Sequence, residues 1–171
     1  MIKYMSAPWR EEYVKKAYKN KDCILCHAYK IKNDQKAYIL YRGEYNFILL
    51  NKFPYGPGHL MIAPYEHIDS FENTSKESTD EFIEFLKMSL RILKKNYSPH
   101  GFNIGMNIGQ SAGAGIVDHY HIHVIPRWVG DSNFMPLISK TKIAIESLET
   151  TYGHLSPLFQ KKNNPRVRQK K

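Results

Sequence analysis

The run His119-Tyr120-His121-Ile122-His123-Val124-Ile125 constrains this chain more than any other stretch. Imidazoles and apolar side chains alternate with period two, the period of a β-strand. A strand here turns all three histidines to one face and Tyr120, Ile122 and Val124 to the other. The apolar face demands a covering layer, and the imidazole face is expected to meet something polar. One metal ion held by all three rings does not fit. Alternate residues advance about 6.6 Å, so His119 and His123 lie roughly 13 Å apart, whereas a ligating nitrogen sits about 2 Å from its ion. A neutral imidazole is nucleophilic and titrates near pH 7, so such an array can supply a nucleophile, an orienting partner and a phosphate-facing donor.

The rest of the pattern supplies the covering layer. AYILYRGEYNFILLNKFP splits into two strand-like runs around Arg42-Gly43-Glu44, and GHLMIAP follows the turn residues from Pro54 to Gly58. These predict three consecutive antiparallel strands. From Thr74 the period changes: Ser and Thr with Glu three residues on can cap a helix, and Phe82, Phe85, Leu86, Leu90, Leu93 and Tyr97 recur at helical spacing. FNIGMNIG reads as a Gly-interrupted strand, and HYHIHVIPR as the strand that carries the histidines. Near the start, Trp9, Tyr13, Val14 and Ala17 with Pro8 predict a short helix. The last third mixes a loop, a strand or short helix, and an amphipathic C-terminal piece. Runs of strands around one long helix argue for an α+β fold with a mostly antiparallel sheet, one long helix and a short N-terminal helix.

Two further features carry chemistry. GQSAGAGIV sets Gly109, Gly113 and Gly115 just before the histidine strand, where positive φ and close backbone approach let main-chain N–H groups cradle phosphate oxygens. Cys23-Ile-Leu-Cys26 has the spacing that brings two thiolates to one tetrahedral ion, and two cysteines are too few for a disulfide scaffold. A zinc site needs two more ligands, and histidines are available; His27, next to Cys26, is one candidate.

On these residues the sequence resembles the histidine-triad nucleotide hydrolases and transferases. Their His-x-His-x-His-x-x pattern, with x apolar, is matched from His119 to Ile125, and NKFPYGPGHLMIAPYEH and NIGQSAGAGI extend the likeness. The run from PWREEY through CILC to PRWVGDSNFMP resembles the branch that contains bacterial diadenosine-tetraphosphate phosphorylases and related hydrolases. The resemblance implies that His121 attacks the α-phosphorus of a nucleotide, giving a nucleotidyl-imidazole that water, phosphate or another acceptor discharges. It implies that His123 faces the phosphate or leaving group and that His119 orients the array, by hydrogen bond or through a metal. Asn51 falls at the ribose-contacting position, Asn107 at a phosphate-side amide, and His59 at a position bordering the triad. The commoner loop of the family has Gln followed by Ser or Thr where Gly115 and Ile116 stand here, so Gln110 or Ser111 becomes the substitute leaving-group donor. In zinc-containing members the remaining ligands correspond to His67 and His119, which with Cys23 and Cys26 make a closed, structural Cys2His2 site. Relatives of this kind are commonly homodimers, for which Trp9, Tyr13 and the aromatics from Phe82 to Tyr97 are the expected apolar patch.

Composition narrows the function classes. The chain has 171 residues, 42% hydrophobic and 13% aromatic, which suits one domain with a real core, and no apolar run approaches the roughly 20 residues of a membrane span. The N-terminus is charge-rich where a secretory signal would be apolar, so the expected location is the cytoplasm. Lys and Arg number 25 against 16 acidic residues, but residues 160–171 hold six of them and no acid. Without that tail the balance is 19 against 16, ordinary for an enzyme, so nucleic acid is not the expected partner. Residues 1–159 are therefore expected to form a single domain followed by a solvated basic tail. Three readings stand: an enzyme acting on dinucleoside polyphosphates, diadenosine tetraphosphate foremost, with a nucleoside phosphoramidase as its neighbour; a nucleotide-binding sensor without turnover; and a zinc-stabilised structural protein. Three intact histidines favour the first, with a nucleotide substrate, an AMP-like product and inorganic phosphate as one acceptor.

Overall fold

Five antiparallel strands form one sheet, β1 (Ile39–Arg42), β2 (Asn46–Leu50), β3 (Leu60–Pro64), β4 (Gly101–Met106) and β5 (Ile122–Arg127), in the order β1-β2-β3-β5-β4. The structure, a computed structural model, describes residues 23–131 and 146–161. The three strands expected in succession are hairpin neighbours, and the histidine-bearing strand enters between β3 and β4. Met61 and Gly105 flank His123 in the ladder, one from each side. The α+β class and the mostly antiparallel sheet are as the sequence implied.

The alternation along each strand sorts side chains to two faces. Leu40, Ile48, Leu50, Leu60, Ile62, Ile122 and Val124 share one buried cluster, and Ile39, Phe47, Leu49, Met61 and Ala63 share another. The first face is covered by the long helix α3 (Lys76–Tyr97), through Phe82, Phe85, Met88, Ile92 and Leu93, and by α4 (Leu148–Gln160), through Leu155 and Phe159. Two short helices, α1 (Ile24–Lys30) and α2 (Asp34–Ala37), cover the second with Leu25, Ala28 and Ala37. β2 is buried along its whole length for this reason. Covering by helices on both sides follows from two apolar faces that would otherwise meet water.

Three expectations change in detail. The helix cap is Ser75, whose side chain accepts from Ser78 N, while Thr74 donates instead to the Tyr120 hydroxyl at 2.9 Å. Phe82 and Phe85 are buried in the chain's own core and cannot supply an intersubunit patch. The strand expected from His119 begins at Ile122, because Tyr120 N donates to Ile68 O at 2.8 Å and the chain before Ile122 follows the turn after β3 rather than the ladder. The expected helix around residues 8–20, Trp9 and Tyr13, the segment 132–145 and the tail from 162 lie outside the described residues.

One carboxylate ties the first hairpin to the long helix. Glu81 accepts from the main-chain N–H groups of Glu44, Tyr45 and Asn46 at 2.7–2.9 Å and from Asn46 Nδ2 at 2.9 Å. Asn46, fully buried, also donates to Ser78 O. Removing an acceptor shared by several donors leaves them unpaired, so Glu81→Ala is expected to cost about 3 kcal/mol. A urea titration reads this as a lower midpoint at unchanged slope, and a loss under about 0.5 kcal/mol would show the clamp to be idle.

Candidate active site and metal centre

The first site is built where α1 meets the ends of β3 and β5. Cys23 caps α1 with its own sulfur, 3.5 Å from Cys26 N, which places the two thiols one turn apart on the same helix end. His67 comes from the turn after β3, and His119 from the run before β5. Cys23 Sγ lies 3.3 Å and Cys26 Sγ 3.5 Å from His119 Nδ1, and Cys26 Sγ lies 3.2 Å from His67 Nδ1. One ligand atom from each of the four residues lies within 4.8 Å of all the others. A tetrahedral zinc with sulfur at 2.3 Å and nitrogen at about 2.05 Å separates S from N by about 3.5 Å, so this donor set fits such an ion.

The tautomer of His119 fits as well. Its Nε2 lies 2.9 Å from the Pro64 carbonyl oxygen, which only accepts, so Nε2 carries the proton and Nδ1 turns its lone pair to the sulfurs. Burial pushes this ring's pKa down to about 4, which keeps it in the neutral, ligating form. Burial also pushes the Cys23 thiol up, while the N–H groups of Cys26 and Leu25 pull it down. Together the four residues can hold a metal ion with no open position. His27 is exposed and stands outside this cluster.

The second site begins two residues later. His121 Nδ1 lies 3.1 Å from the carbonyl oxygen of His119. The carbonyl again only accepts, so Nδ1–H donates and Nε2 holds the lone pair. Burial lowers the pKa of His121, against the opposing pull of that carbonyl. The result is a neutral imidazole with one nucleophilic nitrogen, its ring centroid 4.8 Å from that of His123. The histidine face is thus not a solvated one: His119 and His121 are buried, and only His123 is partly open.

His59, buried directly before β3, completes the group. Its Nε2 lies 2.9 Å from His123 Nδ1, and its Nδ1 accepts from Tyr55 N–H at 3.0 Å. The Tyr55 ring stacks on the His59 ring at 5.1 Å and 19°. Opposite His123, Gly105 carries no side chain, and a Cβ there would meet nothing within 4 Å among the described residues, which leave the sheet face open beside the imidazoles.

The remaining candidates surround this opening. Asn51 follows β2, donates its main-chain N–H to His59 O at 3.1 Å and accepts from Phe53 N at its side-chain Oδ1 at 2.9 Å, so its side-chain oxygen shapes the turn that returns the chain to His59. Asn107 leaves β4 and donates to Gly113 O at 3.4 Å. Gly109 and Gly113 take positive φ, +79° and +82°, on either side of a 3-10 turn over Gln110–Ala112. Gln110 and Ser111 are exposed on that turn, and Gly115 is half-buried beyond it. Sequence reasoning missed Tyr55 and the carbonyls of Pro64 and His119 that set ring orientation. A tyrosine four residues before a histidine in a Pro/Gly turn was the only available hint of Tyr55, and main-chain acceptors leave none.

A family model described as the HIT domain matches residues 32–129, more than half of the chain. Cys23 and Cys26 lie outside that match, so the metal cluster rests on its own geometry. The chain is 38% identical to a protein of Mycobacterium tuberculosis named AP-4-A phosphorylase, over 70% of this chain and 61% of that one. It is 30% identical to the Schizosaccharomyces pombe asymmetrical bis(5'-nucleosyl)-tetraphosphatase, over 71% of this chain and 63% of that one. In each case the match spans less than two thirds of the relative's length. The fold is shared with a zinc-bound histidine triad family protein from Mycobacterium smegmatis, at a TM-score of 0.64 and 21% identity over 83% of this chain and 96% of that one.

Proposed function

Because the chain belongs to the HIT domain family, we propose that it cleaves dinucleoside polyphosphates, diadenosine tetraphosphate in particular, through a covalent nucleotidyl intermediate on His121. The observation that carries the reading is the hydrogen bond from His121 Nδ1–H to His119 O, which leaves Nε2 as the lone-pair nitrogen of a neutral ring. The names of the mycobacterial and yeast relatives support the substrate class. In the first step Nε2 attacks the α-phosphorus, a P–N bond forms, and the bridging P–O bond breaks with its electron pair leaving on the nucleoside triphosphate. His123 faces that departing oxygen. In the second step inorganic phosphate, or water that gives up its proton to solvent, attacks phosphorus, the P–N bond breaks, and the lone pair returns to Nε2. Asn51 contacts the ribose, and Asn107 with the Gly109–Gly115 loop contacts the phosphates, Gln110 or Ser111 lying on the leaving-group side.

Cys23, Cys26, His67 and His119 hold zinc in this reading, and its part is structural: it pins α1 to the run that precedes β5. The protein works as a homodimer. The supporting feature is β4, whose outer edge pairs with nothing among the described residues and whose Ile104 is 44% exposed, with Ile108 beyond it 43% exposed. Incubation with diadenosine tetraphosphate tests the central claim. ADP and ATP formed only with phosphate identify a phosphorylase, AMP and ATP formed without it a hydrolase, and intact substrate under both conditions overturns the reading.

A further inference from the structure

The turn 51–59 holds an aromatic residue that the mechanism above does not use. Tyr55 is 45% exposed, yet it engages the His59 ring twice, through its main-chain N–H at 3.0 Å and through its own ring, stacked at 5.1 Å and 19°. The Tyr55 ring also lies 6.2 Å from that of His123. Gly58 permits this return: its φ of +68° belongs to the left-handed region, and it precedes His59 directly.

We propose that Tyr55 is a positioning residue that fixes the proton of His59 on Nε2 and thereby makes His123 a hydrogen-bond donor through its own Nε2. A backbone amide can only donate, so the His59 nitrogen that faces Tyr55 N–H must be bare. A doubly protonated His59 would set two N–H groups against each other there, so the ring is neutral, with its proton on Nε2. That Nε2–H points at His123 Nδ1, 2.9 Å away, which therefore accepts. A neutral His123 then carries its proton on Nε2. Three groups in series transmit one choice, and its origin is an amide whose polarity cannot change. The stacked Tyr55 ring keeps the imidazole in the plane this chain requires.

The chain also sets what His123 does to a leaving group. A neutral imidazole gives a hydrogen bond, not a proton, to the departing oxygen. This suits a polyphosphate, which leaves as an anion whose last ionisation falls near pH 6. An amine must leave protonated, and a neutral His123 cannot supply that proton without becoming an imidazolate. This part rests on the proposed nucleotidyl transfer; the proton placement does not.

The test is imidazole nitrogen NMR on the 15N-labelled, metal-loaded protein. The expected result is a bare Nδ1 on His59, a protonated Nε2, and coupling across the hydrogen bond to His123 Nδ1. In Tyr55→Ala, which removes the stacked ring, that coupling weakens, and kcat falls roughly tenfold to a hundredfold with KM within about twofold, a part of what a positioned hydrogen-bond donor to developing charge contributes. Both variants keep the main-chain amide, and Tyr55→Phe, which also keeps the stacked ring, recovers both. A proton on Nδ1 of His59 in the native protein overturns the proposal without recourse to any variant. So does Tyr55→Ala with native coupling and native kcat, and so does turnover of an adenosine phosphoramidate as fast as that of the tetraphosphate. If no nucleotide is turned over while the tautomers are as stated, the catalytic reading falls and the relay stands.

Discussion

His121→Ala is expected to lower turnover of diadenosine tetraphosphate by on the order of 10⁴-fold or more, because in the proposed mechanism it removes the atom that bonds to phosphorus rather than an assisting group. The single nitrogen at stake is Nε2, oriented by the 3.1 Å hydrogen bond of its partner nitrogen to the His119 carbonyl. Methods that trap intermediates sharpen the test: rapid acid-free quenching and mass spectrometry should find native protein heavier by one nucleotidyl group on the peptide containing residue 121, and the variant unchanged. The metal content should stay native, since His121 contributes no ligand to the Cys23, Cys26, His67 and His119 cluster. Activity within tenfold of native in a folded His121→Ala protein would assign the nucleophile elsewhere.

The second large effect concerns metal removal. Purified protein is expected to carry about one zinc per chain, and stripping it with a strong chelator should lower the melting midpoint by on the order of 10 °C, as loss of several kcal/mol does for a domain of this size. Cys26→Ser should do the same without a chelator, since Cys26 Sγ faces both His67 and His119. Activity should fall in parallel, although no step of the chemistry passes through the ion. The ring of His119 faces the two sulfurs while its carbonyl holds His121, so release of one end frees the other. A metal-free preparation with native melting behaviour would remove the site from the structure's stability altogether.

Much of this was legible from side-chain periodicity. The period-two runs marked the strands, and the 3.6-residue spacing from Phe82 to Leu93 marked the long helix, because both patterns record one buried face. Helix α1 was not legible: seven residues are too few to establish a period, and its role is to set Cys23 and Cys26 one turn apart. The histidine alternation predicted a common face but could not say what lies over it, and the residues that meet His119, namely Cys23, Cys26, Pro64 and His67, come from distant sequence. The aromatics of α3 show the same limit: Phe82 and Phe85 have the right spacing for an apolar patch, and only the sheet packed against them shows that the patch is already used. For the metal, the CxxC spacing singled out two ligands, and the second pair depended on the family resemblance. Ring tautomers lay beyond any pattern, since carbonyls such as those of Pro64 and His119 belong to every residue alike.

The position of β5 bears on how the protein is made. Leu60 pairs with Val124, and His59 meets His123 across 64 positions of sequence, so the relay is not joined to His123 until a long loop has closed. Such closure carries its entropic cost before any contact repays it, and sheets dominated by distant pairings form slowly. During synthesis the first three strands emerge well before their histidine-bearing neighbour, and they wait with one side of β3 unpaired. Recovery of enzymatic activity in a refolding experiment is therefore a clock for the last major event of folding, and it should lag behind the appearance of helical signal from residues 76–97.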